Sequence, residues 1–211
     1  MVKNKNKKKL AVFLSAVCSL STLFSASMIP AYAAGDQVFK IDGISYTEAG
    51  TQEAQYNKKF KVTDVENAEG HFVIPSYLNE EGGSWNVNPN EDLDNAYVTK
   101  IQPNVFDKLG NVTTLKLPFN LSGSYSSEDF AKLTNLEAFE SDNSSGRGYV
   151  VKNGVLFLDK TGVDAVLLKY PEKKTGDYSI PENTKSAINN AFHKAKIGTL
   201  NIPDSFTVKA D

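Results

Sequence analysis

The stretch IQPNVFDKLGNVTTLKLP at 101–118 decides the reading, because its pattern returns twice. Aligned on the aromatic, it matches FAKLTNLEAFESD at 130–142 and FHKAKIGTLNIP at 192–203. Phe106 is followed by Val112, Leu115 and Leu117, and Phe130 by Leu136, Phe139 and Ser141. In the third unit, one residue shorter, Phe192 is followed by Ile197, Leu200 and Ile202. Such short-period self-similarity is the signature of a repeat protein, whose units bury their apolar edges against one another. Leu115 with Leu117, or Leu200 with Ile202, then point inward from a short strand while the residue between them faces out. A proline ends the strand at Pro118 and Pro203, and FVIP at 72–75 and YSIP at 178–181 obey the same rule. The aromatic positions fall in brief helical segments. Pro103 suits a first helical turn, and Ser126 with Asp129 makes a capping pair before Phe130.

A larger duplication encloses these units. FKIDGISY at 39–46 resembles YVVKNGVLF at 149–157, each reading as two alternating strands joined by Asp-Gly or Asn-Gly, the strongest short hairpin signal. Each hairpin leads to an apolar-Pro strand, an aromatic unit and a second apolar-Pro strand. The halves differ chiefly by the acidic loop NEEGGSWNVNPNEDLDN at 79–95. Beyond Pro203 the sequence stops before its next aromatic unit, so an open C-terminal edge is expected, and end-to-end self-association through that edge stays open.

Residues 1–33 read as a secretory signal peptide: a lysine-rich start, an apolar stretch from Leu10 to Phe24 and small residues ending at Ala33. The apolar stretch is too short and too interrupted by Ser and Thr to span a membrane. Its lysine block suggests a bacterial leader. No later stretch spans a membrane, so no membrane span is expected after signal cleavage. The single cysteine, Cys18, lies within the leader, which excludes disulfides, thiol nucleophiles and Cys-ligated zinc from the remainder. The whole chain has 23 basic and 25 acidic residues; without the five leader lysines this becomes 18 against 25, a net charge of −7. An acidic remainder argues against nucleic acid as a partner. The expected location is secreted or extracellular, including association with the cell surface.

The NGVLF hairpin followed by LLKYP, the run YSIPENTKSAINNAF and the terminal LNIPDS resemble the BspA-like leucine-rich repeat family of bacterial secreted and cell-surface proteins. The likeness is strongest over 149–207, clear over 98–142 and weaker over 36–97. It implies a leucine-rich-repeat solenoid with β-hairpin insertions and short helical segments, a β-rich α/β fold. It also implies binding or adhesion rather than catalysis. The chain then divides into the signal peptide (1–33), an N-terminal hairpin with a divergent repeat and the acidic loop (34–97), and leucine-rich repeats (98–211) with a hairpin insertion at 149–170. It departs from the family in its shortness, in lacking attachment modules, and at Ser141 and Asp142, where other repeats carry an aliphatic residue and proline.

No motif points to chemistry. His71 and His193 form no metal-binding pair and read as surface neighbours of core aromatics; no nucleophile elbow, phosphate loop or dinucleotide fingerprint occurs. No catalytic residue, metal or cofactor is therefore assigned. Outward strand positions are free of core duty, and Val73, Lys116, Glu140, Ser179 and Asn201 are expected to line up as one row, flanked by Thr114, Ala138 and Thr199. Val73, Thr114, Lys116, Glu140, Ser179 and Asn201 are the candidate contacts for a protein or glycan ligand on a host or bacterial surface. Trp85, amid the loop acids, is the candidate sugar-stacking residue. Two rival readings stand beside this one: a truncated fragment of a longer repeat protein, and a glycan hydrolase using two acids of the 80–94 loop.

Overall fold

The structure, a computed structural model, describes residues 38–49, 59–78, 96–143 and 145–207. The leader and Trp85 lie outside them. Within them the chain is strand-rich with little helix, and the duplication read from the sequence reappears as two matching pairs of sheets.

The first hairpin is β1 (Phe39–Ile41) and β2 (Ile44–Glu48). Its turn residues Asp42 and Gly43 have φ of 48° and 79°, the double left-handed turn that Asp-Gly favours. β3 (Lys59–Val65) pairs antiparallel with β2; next in the chain come β4 (Glu69–Val73), β5 (Tyr77–Leu78) and β6 (Ala96–Ile101). Parallel pairing of β6 with β3 and antiparallel pairing of β5 with β6 complete the order β1-β2-β3-β6-β5. Residues 79–95, the acidic loop with the 80–94 acids, connect β5 to β6 and lie outside the described residues.

β4 runs parallel to β7 (Asn111–Leu117), and β7 to β8 (Ala138–Ser141). Each of these strands is the apolar-x-apolar segment of one unit. A 3-10 helix at Pro103–Lys108 precedes β7, and the single helical turn α1 (Ser127–Phe130) precedes β8. In α1 the expected capping pair is complete: the Asp129 backbone N–H donates to Ser126 Oγ, and the Asp129 carboxylate accepts from the Ser126 backbone N–H. These segments turn Phe106 and Phe130 inward, where their rings meet edge to face with centroids 5.7 Å apart. Asn135 stitches adjacent units together by donating to the Gly110 carbonyl.

The second half repeats the plan. β9 (Gly148–Lys152) and β10 (Val155–Asp159) form the hairpin, with φ of 52° and 77° at Asn153 and Gly154. β11 (Ala165–Lys169) is antiparallel to β10 and parallel to β13 (Thr184–Ala187), giving β9-β10-β11-β13. β12 (Thr175–Ser179) pairs parallel with β14 (Lys196–Asn201), the counterparts of β4 and β7. The aromatic segment around Phe192 was expected to be helical; in this shortened unit it is a series of turns.

Inward positions behave as the spacing requires in most repeats. Leu115, Leu117, Phe139, Tyr178 and Ile180 are buried, while Glu140 after Phe139 and Ser179 between Tyr178 and Ile180 are exposed; Leu200 and Ile202, expected inward, are exposed instead, with no further strand beside theirs among the described residues. Two cores result. The first gathers Tyr46, Val62, Phe106, Leu115, Phe130 and Phe139; the second gathers Phe157, Leu167, Tyr170, Tyr178 and Ile180. The β9-β10 hairpin serves both, because alternate residues point to opposite faces: Tyr149 and Leu156 join the first core, Val150, Val155 and Phe157 the second.

One substitution explains how the halves join. Ser45 faces Asp64 and Leu156 faces Lys169 across the equivalent strand pairs, which makes Glu66 and Pro171 equivalent positions. In the first half the Glu66 N–H donates to the Gly43 carbonyl at 2.8 Å. Pro171 has no N–H to give. The Gly154 carbonyl instead accepts from the Phe139 N–H of β8, at 2.9 Å. The hairpin tip is thereby held against β8, with an added Cβ at Gly154 falling only 3.3 Å from the Ala138 Cβ.

Candidate binding face

The three-stranded sheet β4-β7-β8 presents its outer side through residues released from core duty. Register places Val73, Lys116 and Glu140 directly abreast, and His71, Thr114 and Ala138 abreast one step earlier. Thr114 and Val73 are half-buried by their neighbours, and Glu140 is exposed. An ion pair and a histidine–carboxylate contact tie the face together. Lys116 Nζ lies 2.8 Å from Asp142 Oδ2, and His71 Nε2 lies 3.2 Å from Glu140 Oε2, reaching across the whole width of β7. A sheet face with charges of both signs and a central Thr and Val offers hydrogen bonding to polar ligands, and its long side chains are held in place before any ligand arrives.

Ser179 and Asn201 are also in register, on β12 and β14, and Asn201 Nδ2 donates to Ser179 Oγ at 3.0 Å. Beside them Asp177 Oδ1 accepts from the Thr199 N–H. These residues belong to a separate two-stranded sheet. The single row expected from Val73 to Asn201 is therefore two rows, because the 153–154 turn takes the edge of β8 that a next parallel strand would need.

Two members of the face were not among the candidate contacts. His71 was read as a surface neighbour of inward Phe72, and it is exposed; its place beside Thr114 on this face comes from the register. Asp142 stands where other repeats carry proline; it is exposed and reaches back to Lys116. Ser141 before it accepts the Asn143 N–H as the chain turns toward the second hairpin.

Three other places were weighed against this face. At the root of the acidic loop Tyr77 lies 5.1 Å from the Tyr97 ring and 5.2 Å from the Phe119 ring, and burial, then proximity of Tyr97, raises the Tyr77 hydroxyl pKa. A buried ion pair joins Lys169 to Glu172, with His193 Nδ1 3.8 Å from the same carboxylate oxygen. Burial, and then the charge of Lys194, pushes the Lys169 pKa down, while Glu172 opposes both. Neither cluster places a nucleophile beside a base. The third place, an open polar depression lined by Glu66, Asn67, Lys108 and Asn111, holds none either. Among the described residues no group of three His, Cys, Asp or Glu side chains is arranged to hold a metal ion, and no helix is long and apolar enough to cross a membrane.

No family model matches the chain, and no curated protein does. Two solved structures match part of the chain. A leucine-rich cell surface protein of Faecalibacterium prausnitzii matches with 17% identity and a TM-score of 0.40, covering 81% of this chain and 44% of that one. The pneumococcal vaccine antigen PcpA matches with 14% identity and a TM-score of 0.30, covering 81% of this chain and 65% of that one. The chain thus spans less than two thirds of either structure.

Proposed function

We propose that this chain is an exported bacterial leucine-rich repeat module of the BspA-like kind, a short solenoid that holds a protein or glycan at a cell or matrix surface without turning it over. In this reading residues 1–33 direct export, 34–97 open the solenoid and 98–211 continue it. One observation carries the reading: the β4-β7-β8 sheet commits its inner side chains to the core and holds Val73, Lys116 and Glu140 abreast on the outside, with Lys116 and Glu140 each tied in a cross-strand pair. Ordered outward charges of this sort set orientation and on-rate for a charged partner.

The test is binding of the labelled chain to intact bacteria and to host matrix, beside a Lys116→Glu, Glu140→Lys double variant that preserves net charge and inverts the pattern. Binding lost in a variant that melts like the parent supports the strand face. Equal binding by both removes it.

A further inference from the structure

The duplicated plan makes one gap visible. β7 is paired on both edges, by β4 and β8, whereas its counterpart β14 is the last strand of its sheet and pairs only with β12 among the described residues. Leu115 and Leu117 are 0% and 2% exposed; the equivalent Leu200 and Ile202 are 36% and 55% exposed. The correspondence persists past the strand, since Ser122 N–H donates to the Thr99 carbonyl as Thr207 N–H does to that of Lys185. Among the described residues the outer edge of β14 thus has no strand partner, and it lies beside two exposed aliphatic side chains. It carries no proline or inward charge, the devices that normally blunt a strand edge.

The opposite end of the molecule is built differently. The hairpin face that meets the first core in the second half is Tyr149, Val151, Leu156 and Leu158; its equivalents in the first hairpin are Val38, Lys40, Ser45 and Thr47. Three of these four positions have become polar, and Lys40 is exposed and paired with Glu66. Laying that hairpin on β14 would desolvate the lysine against Leu200 and Ile202. A head-to-tail stack is disfavoured by this mismatch. The surface of like character is β14 itself, and a two-fold contact needs one self-complementary patch.

We infer that β14 is a docking edge for a second copy of this chain, the two β14 strands pairing antiparallel about a two-fold axis and joining their second cores through Leu200 and Ile202. The pair would leave both β4-β7-β8 faces free, giving a ligand surface two points of attachment.

The sequence offers a clean test, because residues 34–211 include every described residue and contain no cysteine. Single substitutions Lys196→Cys through Asn201→Cys are oxidised one at a time in that chain, with Val38→Cys as the control. A two-fold axis through β14 brings at least one residue close to its own copy, within the Cα separation of roughly 4.4–6.8 Å that a disulfide spans. One β14 position or more trapping a dimer, with Val38→Cys monomeric, is the expected result. Light scattering adds a second readout: the unmodified chain is dimeric, and Leu200→Glu with Ile202→Lys weakens the dimer by roughly a hundredfold, since each change counts twice across the axis. These side chains are already exposed, so the variant keeps its fold, checked by circular dichroism. A monomer at all concentrations, a dimer indifferent to the double variant, or trapping through Val38 alone overturns the inference.

Discussion

Glu172→Gln tests the energetics of the fold at its most charged buried point. Lys169 and Glu172 are 2% and 5% exposed, with Nζ and Oε1 3.3 Å apart. The amide keeps the shape of the side chain and removes its charge, leaving the ammonium buried without a counter-ion. Breaking a buried pair in this way costs about 3–5 kcal/mol, equivalent to a fall in melting temperature of roughly 6–20 °C for a chain of this size. The duplication provides an internal control. Asp64 occupies the position of Lys169, and its pair with Lys108 lies at the surface, so Lys108→Ala costs about 1 kcal/mol or less. Removing both buried charges together, Lys169→Met with Glu172→Leu, should return stability to within about 2 kcal/mol of the parent or exceed it. The sign with pH is fixed as well. The folded pKa of Lys169 is lowered, so the unfolded chain binds more protons in the window between that value and the ordinary lysine value. Its contribution to stability therefore rises with pH across that window. Urea unfolding with an unchanged m-value is the assay. A Glu172→Gln loss no larger than that of Lys108→Ala would refute the reasoning.

Leu115→Asp places a carboxylate in a fully buried site and should abolish cooperative unfolding, whereas Lys116→Asp one residue away should cost about 1 kcal/mol; comparable thermal losses would reverse the inward and outward assignment. Gly154→Ala adds a Cβ 3.3 Å from Ala138, while Gly146→Ala meets nothing within 4 Å at a similar positive φ of 68°. Denaturant midpoints should therefore fall further for Gly154→Ala, and equal midpoints would show that the hairpin tip is not wedged against β8. Burial raises the hydroxyl pKa values of Tyr46, Tyr125 and Tyr178 above the ordinary 10.0. Their contribution is complete below pH 10 and is lost as pH rises toward the folded values, so an alkaline titration followed by circular dichroism should show steep unfolding above pH 10. Lowering of the Asp64 pKa by its hydrogen bond to Lys108 acts at the other limit: that contribution is present above the ordinary carboxylate value and disappears as pH falls through the folded one, a loss that Lys108→Ala removes from an acid titration.

Strand parity was legible at two of the prolines: Leu115 and Leu117, Tyr178 and Ile180 are inside, and Lys116 and Ser179 lie outside their cores. Before Pro203 the same rule failed, because Leu200 and Ile202, expected inward, are exposed on a strand with no following unit to cover it among the described residues. Asp42-Gly43 and Asn153-Gly154 announced both hairpins, because few other dipeptides tolerate two successive left-handed residues. β3 was not recognised, since register shifts at Ser45/Tyr46 and Phe60/Lys61 break its alternation, so that buried Phe60, Val62 and Val65 share no single period. Division of the outward row into two sheets was equally hidden. It depends on a donor that Pro171 lacks and on a partner, Phe139, 32 positions earlier. The His71 to Glu140 contact spans two strand spacings, a distance that only the assembled register reveals.

The two-faced β9-β10 hairpin also governs how the molecule comes apart. In a simple array each unit can fray without its neighbours, because every contact belongs to one interface. Here the same ten strand residues complete two cores at once, so loosening the second half withdraws Tyr149 and Leu156 from the first. Local opening therefore spreads through the hairpin, and the two halves melt as one cooperative unit, with amide protons on either side of Gly154 exchanging at a common rate.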